Sequence, residues 1–380
     1  MTSKEGVKAV FKKETPDRVP INHRGFSAKV ASYILKREAF VGGGIQQWRE
    51  AKSYWEGWHD EYLERSFKDA IDIAFLTNQD IIRSSYWRYP LPPTRKIDEY
   101  TYLYEYGEEK DWKILHYIPE SEQAIPSYYH PRELTREDIK KEVKKGEKNL
   151  SSYKPKEEDF AFQIKAQRMF GKEKVIENYG VTVGISMREA NVWLEAMLQD
   201  PGLVKALINQ QVERAKKNVE FLSKFGFHYF LGGLDFASEK GPMFSPKLFR
   251  ELILPGLKKV SEICHQYGGY YLFASDGNLW PVADALFKES KIDGEYEVDR
   301  KAGMDLEKLR KEYPDLTLIG NISSWTLSQG TRESVKKEVI SCLEVAKKYS
   351  GVIVGVSNYV LPETPDENVQ VMLNTLDKKR

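Results

Sequence analysis

Short apolar runs rich in β-branched and aromatic residues alternate along this chain with stretches of helical period. Eight runs stand out, at 18–24 (RVPINHR), 80–85 (DIIRSS), 176–185 (IENYGVTVGI), 227–235 (FHYFLGGLD), 269–275 (GYYLFAS), 292–298 (IDGEYEV), 316–322 (LTLIGNI) and 352–357 (VIVGVS). Strand and helix in alternation predict an α/β fold with a parallel sheet, and eight such units close a single (β/α)8 TIM-type barrel. The helices carry their own punctuation. Ser245 and Pro246 open one as N-cap and first-turn residue, and Gly268 and Gly269 close it. In 331–349 the stripe Val335, Val339, Cys342, Leu343 and Ala346 predicts a helix face laid on the barrel wall.

After the second run the period changes. Residues 100–118, YTYLYEYGEEKDWKILHYI, alternate apolar and polar positions on either side of Gly107, the pattern of a β-hairpin, and a charged helical stretch follows at 133–147. The segment 95–165 therefore reads as an insertion within one domain spanning 1–380, placed to serve as a lid or partner surface. The chain holds 22 Tyr, 17 Phe and 8 Trp, and many of these rings fall between Trp48 and Trp112. They serve either as core and rim packing or as the walls of a pocket for a flat ligand, with Trp48, Trp55, Trp58 and Trp87 as candidate walls.

Charge narrows the function classes. With 58 Lys+Arg against 57 Asp+Glu, no global field recruits nucleic acid. No apolar run is long enough to span a membrane, and the N-terminal stretch has no apolar centre of the kind a signal peptide needs, so a cytoplasmic location is expected. Cys264 and Cys342 lack CxxC spacing and are expected to be reduced core residues. Phosphate-loop, dinucleotide, HExxH and GxSxG motifs are missing.

In a parallel barrel, chemistry sits where strands finish. The candidates at those positions are His23 and Arg24 on the first strand, Asp80 and Arg83 on the second and Tyr179 on the third. Asp235, Asp276, Glu297, Asp299, Asn358 and Tyr359 follow on the later ones. Several carboxylates and two arginines converging on one barrel end are costly to bury without a ligand or a metal.

These strand ends also carry a likeness. TPDRVPI (15–21), LTNQDIIR (76–83), SDGNLWPVADAL (275–286), DGEYEVDRKAGMDLEKLRKEY (293–313), IGNIS (319–323) and VGVSNYVLPETPDENV (354–369) resemble the uroporphyrinogen decarboxylase superfamily, which includes corrinoid-dependent methyltransferases. The resemblance implies that Arg24 matches a substrate-binding arginine of the decarboxylase and that Asp80 matches the aspartate holding pyrrole nitrogens. It also marks departures. Ala28 stands at a second arginine position and Asn358 at a histidine position, and the methyltransferases' zinc ligands, a His-x-Cys pair and a further Cys, correspond to Ala274, Asp276 and Asn358. Zinc is therefore not expected.

Two functions follow as expectations. In the first, the protein moves a methyl group from a small methylated donor, such as a methoxylated aromatic, to a corrinoid (cobalamin) carried by a partner protein. Asp276 is the first candidate acid, followed by Asp80, Asp235 and Glu297, and a homodimer stays open. In the second, it is a carboxy-lyase or a non-catalytic tetrapyrrole-binding homologue, with Asp80, Arg24 and Arg83 as the ligand-holding set.

Overall fold

Eight parallel strands close into a ring in the computed structural model, which describes residues 1–86, 88–106, 111–127, 134–187 and 190–380. Ile81–Ile82 pairs with Val175–Ile176, a bridge joins Asn178 to Phe230, and Tyr229–Gly233, Tyr270–Ala274, Gly294–Tyr296, Thr317–Ile319 and Val352–Ile353 follow side by side. Val354 bridges back to Ile21, whose carbonyl accepts the Asp80 N–H, and the ring is sealed. Each strand overlaps a run expected to form one, the third starting one residue ahead of its run at Val175, and several are shorter. The first is irregular, bridged at Ile21 and carried on by the Asn22 and Arg24 N–H groups donating to the Val354 and Val356 carbonyls, while Pro20 has no N–H with which to extend the ladder backward. The third ends early, where Gly180 turns at φ 112° and a Cβ would sit 2.9 Å from the Asn218 amide.

Inward-facing side chains fill the ring. Ile81, Val175, Tyr229, Leu231, Leu272, Tyr296, Ile319 and Ile353 form this core, and Val7, Val10 and Phe11 of the helix Ser3–Phe11 pack against it from the ends where the strands begin. The interior retains a cavity of about 10 Å³, room for one water at most. Outside, the helix Arg332–Tyr349 buries Val335, Val339, Cys342, Leu343 and Ala346 as its spacing predicts. The helix opened by Ser245 widens into a π turn at Phe249–Ile253 just before Pro255, which has no N–H for a regular helical bond.

The insertion holds more than a hairpin. Arg95–Lys96, Thr101–Tyr106, Asp111–Ile118 and Gln123–Ser127 form a four-stranded antiparallel sheet, with Gly107 at the hairpin tip outside the described residues. Tyr102, Tyr104 and Leu115 pack with Ala51, Trp48 and Tyr89 into a separate small core. The charged helix runs Arg136–Ser152 and is tied to the helix Pro201–Ser223, where Gln210 Nε2 donates to the Val143 carbonyl. Glu122 accepts the Ala28 and Lys29 N–H groups, capping the helix Ala28–Leu35 and fixing the sheet beside the ends of the first and eighth strands. Among the described residues no helix is long and apolar enough to cross a membrane.

Candidate active site

Three carboxylates from consecutive strand ends meet at the mouth of the barrel. Asp235, Asp276 and Glu297 each bring an oxygen within 4.8 Å of the other two. Backbone geometry holds them there. Gly277 turns at φ 92° immediately after Asp276, where a Cβ would lie 2.6 Å from the Ala237 carbonyl oxygen. Glu297 itself adopts φ 67°, a strained choice for a non-glycine residue of the kind that concentrates at functional sites. The Asp276 N–H donates to Asp235 Oδ1 at 3.1 Å. Asn358 Oδ1 accepts the Tyr359 N–H at 2.6 Å, which orients its amide so that Nδ2 donates to Asp276 Oδ2. Asp299 accepts the N–H groups of Gly277, Lys301 and Ala302 and braces the loops.

Crowding changes protonation. Burial, then the charges of Glu297, Asp235 and Asp299, push the Asp276 carboxyl up to about 8. The acid form of Asp276 is thereby favoured near neutrality, and Oδ2 is already occupied by the Asn358 amide. Burial also raises Glu297, against the opposing pull of Arg24. Glu295, 1% exposed and with neither oxygen hydrogen-bonded, is driven far upward by burial and by Glu297, Asp276 and Asp235.

Across the mouth lies an arginine–tyrosine–glutamate network. Arg24 Nε donates to Glu297 Oε1, while its Nη1 donates to Glu177 Oε1 at 3.2 Å and to the Tyr179 hydroxyl at 3.3 Å. The Tyr179 hydroxyl also donates to Glu177 Oε1, and the Tyr296 hydroxyl donates to Oε2 at 3.4 Å. Arg83 Nη1 donates to the Arg24 carbonyl at 2.6 Å. Glu177 and Tyr296 were not among the sequence candidates. The signal for Glu177 was a carboxylate inside an apolar run; for Tyr296 there was only its place between Glu295 and Glu297.

Other candidates lie elsewhere. Asp80 opens the second strand rather than closing it, so it sits at the far end of the barrel, bonded to Ser3, Ile21, Arg18 and Arg380. This placement removes it as a catalytic or pyrrole-holding group. His23 is turned into the wall, its Nδ1 accepting the Val356 N–H and its ring against Phe26, and burial lowers it to about 3. Trp48 stacks on Tyr117 of the inserted sheet, Trp55 is 47% exposed, and Trp58 packs on Phe40 and Tyr62, and none of these contacts involves Asp235, Asp276 or Glu297. Trp87 lies outside the described residues. The Tyr359 hydroxyl lies against Gly43, where a Cβ would approach it to 2.6 Å.

The donors at this mouth are oxygens. Ala274, Asp276 and Asn358 supply neither an imidazole nitrogen nor a thiolate sulfur. The oxygens of Asp235, Asp276 and Glu297 are close enough to share a hard cation, the alternative that this donor set allows.

No curated protein matches the chain. Among solved structures, a methyltransferase from Methanosarcina mazei superposes with a TM-score of 0.66 at 17% identity, covering 100% of this chain and 99% of that one. A D-psicose 3-epimerase from Clostridium cellulolyticum H10 reaches a TM-score of 0.32 at 12% identity, over 64% of this chain and 92% of that one. A sugar phosphate isomerase/epimerase from Parabacteroides distasonis reaches 0.29 at 14%, over 55% and 73%. The last two are too distant to bear on fold or function. The whole-length likeness is one of fold, and the family model for uroporphyrinogen decarboxylase (URO-D) matches residues 179–379, which carry Asp235, Asp276, Glu297 and Asn358: the chain belongs to that family.

Proposed function

We propose that this protein transfers a methyl group from the oxygen of a methyl ether to a corrinoid held by a partner protein, with Asp276 protonating the departing oxygen. The corrinoid supplies the electron-rich cobalt that takes the methyl group. The chain's own residues manage the leaving group. As the C–O bond breaks, its electron pair stays on oxygen, which needs a proton to leave as a neutral phenol or alcohol. Asp276, whose acid form its surroundings favour, gives that proton, and the Asn358 amide steadies the carboxylate left behind. Asp235, exposed at the rim, offers a route for reprotonation from solvent. The rings beside the arginines are Tyr86, Tyr179 and Tyr296, which suits a flat methoxylated aromatic donor.

The carrying observation is the gathering of Asp276 with Asp235 and Glu297 in the mouth of a barrel of this family, a setting that favours its acid form. Likeness to a methyltransferase over its whole length supports the same reading. A carboxy-lyase or tetrapyrrole-binding role would draw on Asp80 and on arginines open to a ligand. Asp80 lies at the opposite end, and Arg24 and Arg83 are engaged within the chain. The test is incubation with Co(I) cobalamin and a panel of methoxylated aromatics. Loss of the Co(I) absorbance together with release of the free phenol is expected, and no methylation with any donor would overturn the proposal.

A further inference from the structure

Glu177 has no part in protonating the leaving group, yet the mouth is organised around it. It stands on the third strand, 5% exposed. Its Oε1 lies 3.2 Å from Arg24 Nη1 and 4.0 Å from Arg83 Nε, and the hydroxyls of Tyr179 and Tyr296 donate to its two oxygens. Arg24 lies over the Tyr296 ring at 5.2 Å, and Arg83 over Tyr86 at 4.9 Å and Tyr179 at 5.8 Å.

Two buried guanidiniums set against aromatic rings make a seat for a carboxylate borne on a flat molecule, the charge meeting arginine and the ring meeting tyrosine. Here the chain supplies that carboxylate itself. We propose that Glu177 is a specificity-determining residue that fills the anion seat between Arg24 and Arg83, so the site takes uncharged methoxylated rings and turns away rings bearing a carboxylate. Discrimination of this kind arises from what the wrong ligand would leave unpaired. The substrate class rests on the methyl-transfer reading, but the selectivity can be measured without turnover.

Calorimetric titration of the wild type and Glu177→Gln with 4-methoxyphenol and 4-methoxybenzoate tests it. The wild type should prefer the phenol. Glu177→Gln, similar in shape but unable to neutralise the arginines, should raise the ratio of benzoate to phenol affinity about tenfold or more. The gain should shrink as salt rises, and the benzoate should raise the melting temperature of the variant and not of the wild type. A role confined to folding would not change the ligand preference. Wild-type preference for the benzoate, wild-type binding of neither ring, or a variant whose selectivity is unchanged would each overturn the proposal. Should the variant not fold, the wild-type preference alone still decides. A failed methyl-transfer assay beside intact phenol selectivity would count against the reaction and not against the anion seat.

Discussion

Asp80 and Asp276 are both shielded aspartates at the ends of barrel strands, and their surroundings are opposite. Asp80, at the closed end, receives donors on both oxygens: the Ser3 hydroxyl at 2.6 Å and Arg18 on one, the Ile21 N–H at 2.8 Å and Arg380 on the other. Asp276, at the open end, has one amide donor and three carboxylate neighbours. Burial alone does not separate a structural carboxylate from a reactive one. Saturation with donors stabilises the charge and ties the chain together, whereas starvation of donors keeps a proton in place, where it can be given away.

The largest effect expected from this contrast is on turnover. Asp276→Asn should lower methyl transfer by about 10²–10⁴-fold, the usual contribution of a positioned general acid, and single-turnover decay of Co(I) measures it. The pH profile carries the same signature in the wild type. Activity should fall as pH rises past about 8, where Asp276 loses its proton, by about tenfold per unit. Stability follows with a definite sign. Between the ordinary value of 3.8 and about 8 the folded chain keeps a proton that the unfolded chain releases, so this group's contribution falls as pH rises through that window. Asp276→Asn should therefore melt higher than wild type at pH 8, with the difference closing toward pH 4. A variant that melts lower throughout would mean that Asp276 is structural after all.

At the closed end the expectation reverses. Asp80→Ala removes the partner of the Ser3 hydroxyl, the Ile21 N–H and one bond each from Arg18 and Arg380, and should lower stability by about 2–4 kcal/mol in denaturant unfolding. Its rate per folded molecule should stay within about twofold of wild type, since sites far apart act independently. A large drop in rate with stability intact would return Asp80 to the chemistry.

The barrel was legible because its signal is repetitive. Eight apolar runs with helices between them leave few other closures, and Val335, Val339, Cys342, Leu343 and Ala346 needed only helical spacing to be placed. Within the site, Asp235, Asp276 and Glu297 were legible because each follows the apolar part of its run. Asp80 was misplaced by direction along the strand: the first residue of DIIRSS faces one end of the barrel and Arg83 the other. Glu177 was hidden for a related reason. A carboxylate inside an apolar run shows its use only once Arg24 and Arg83, 153 and 94 positions earlier, are folded against it.

The smallest expected effect separates the two roles open to the aromatic surplus. Trp48 stacks on Tyr117 at 5.2 Å and donates from Nε1 to the Glu99 carbonyl at 2.9 Å, so its ring joins a helix to the inserted sheet. Trp48→Ala should therefore lower stability by about 1–3 kcal/mol through lost stacking and burial, read as a shift in the unfolding midpoint. The KM for a methoxylated donor should move by less than about twofold, because the ring contacts lie on the insertion and the bonds around Asp276 come from other elements. A raised KM with an unchanged midpoint would restore Trp48 to the pocket wall and would mean that the inserted sheet folds over the mouth when donor binds.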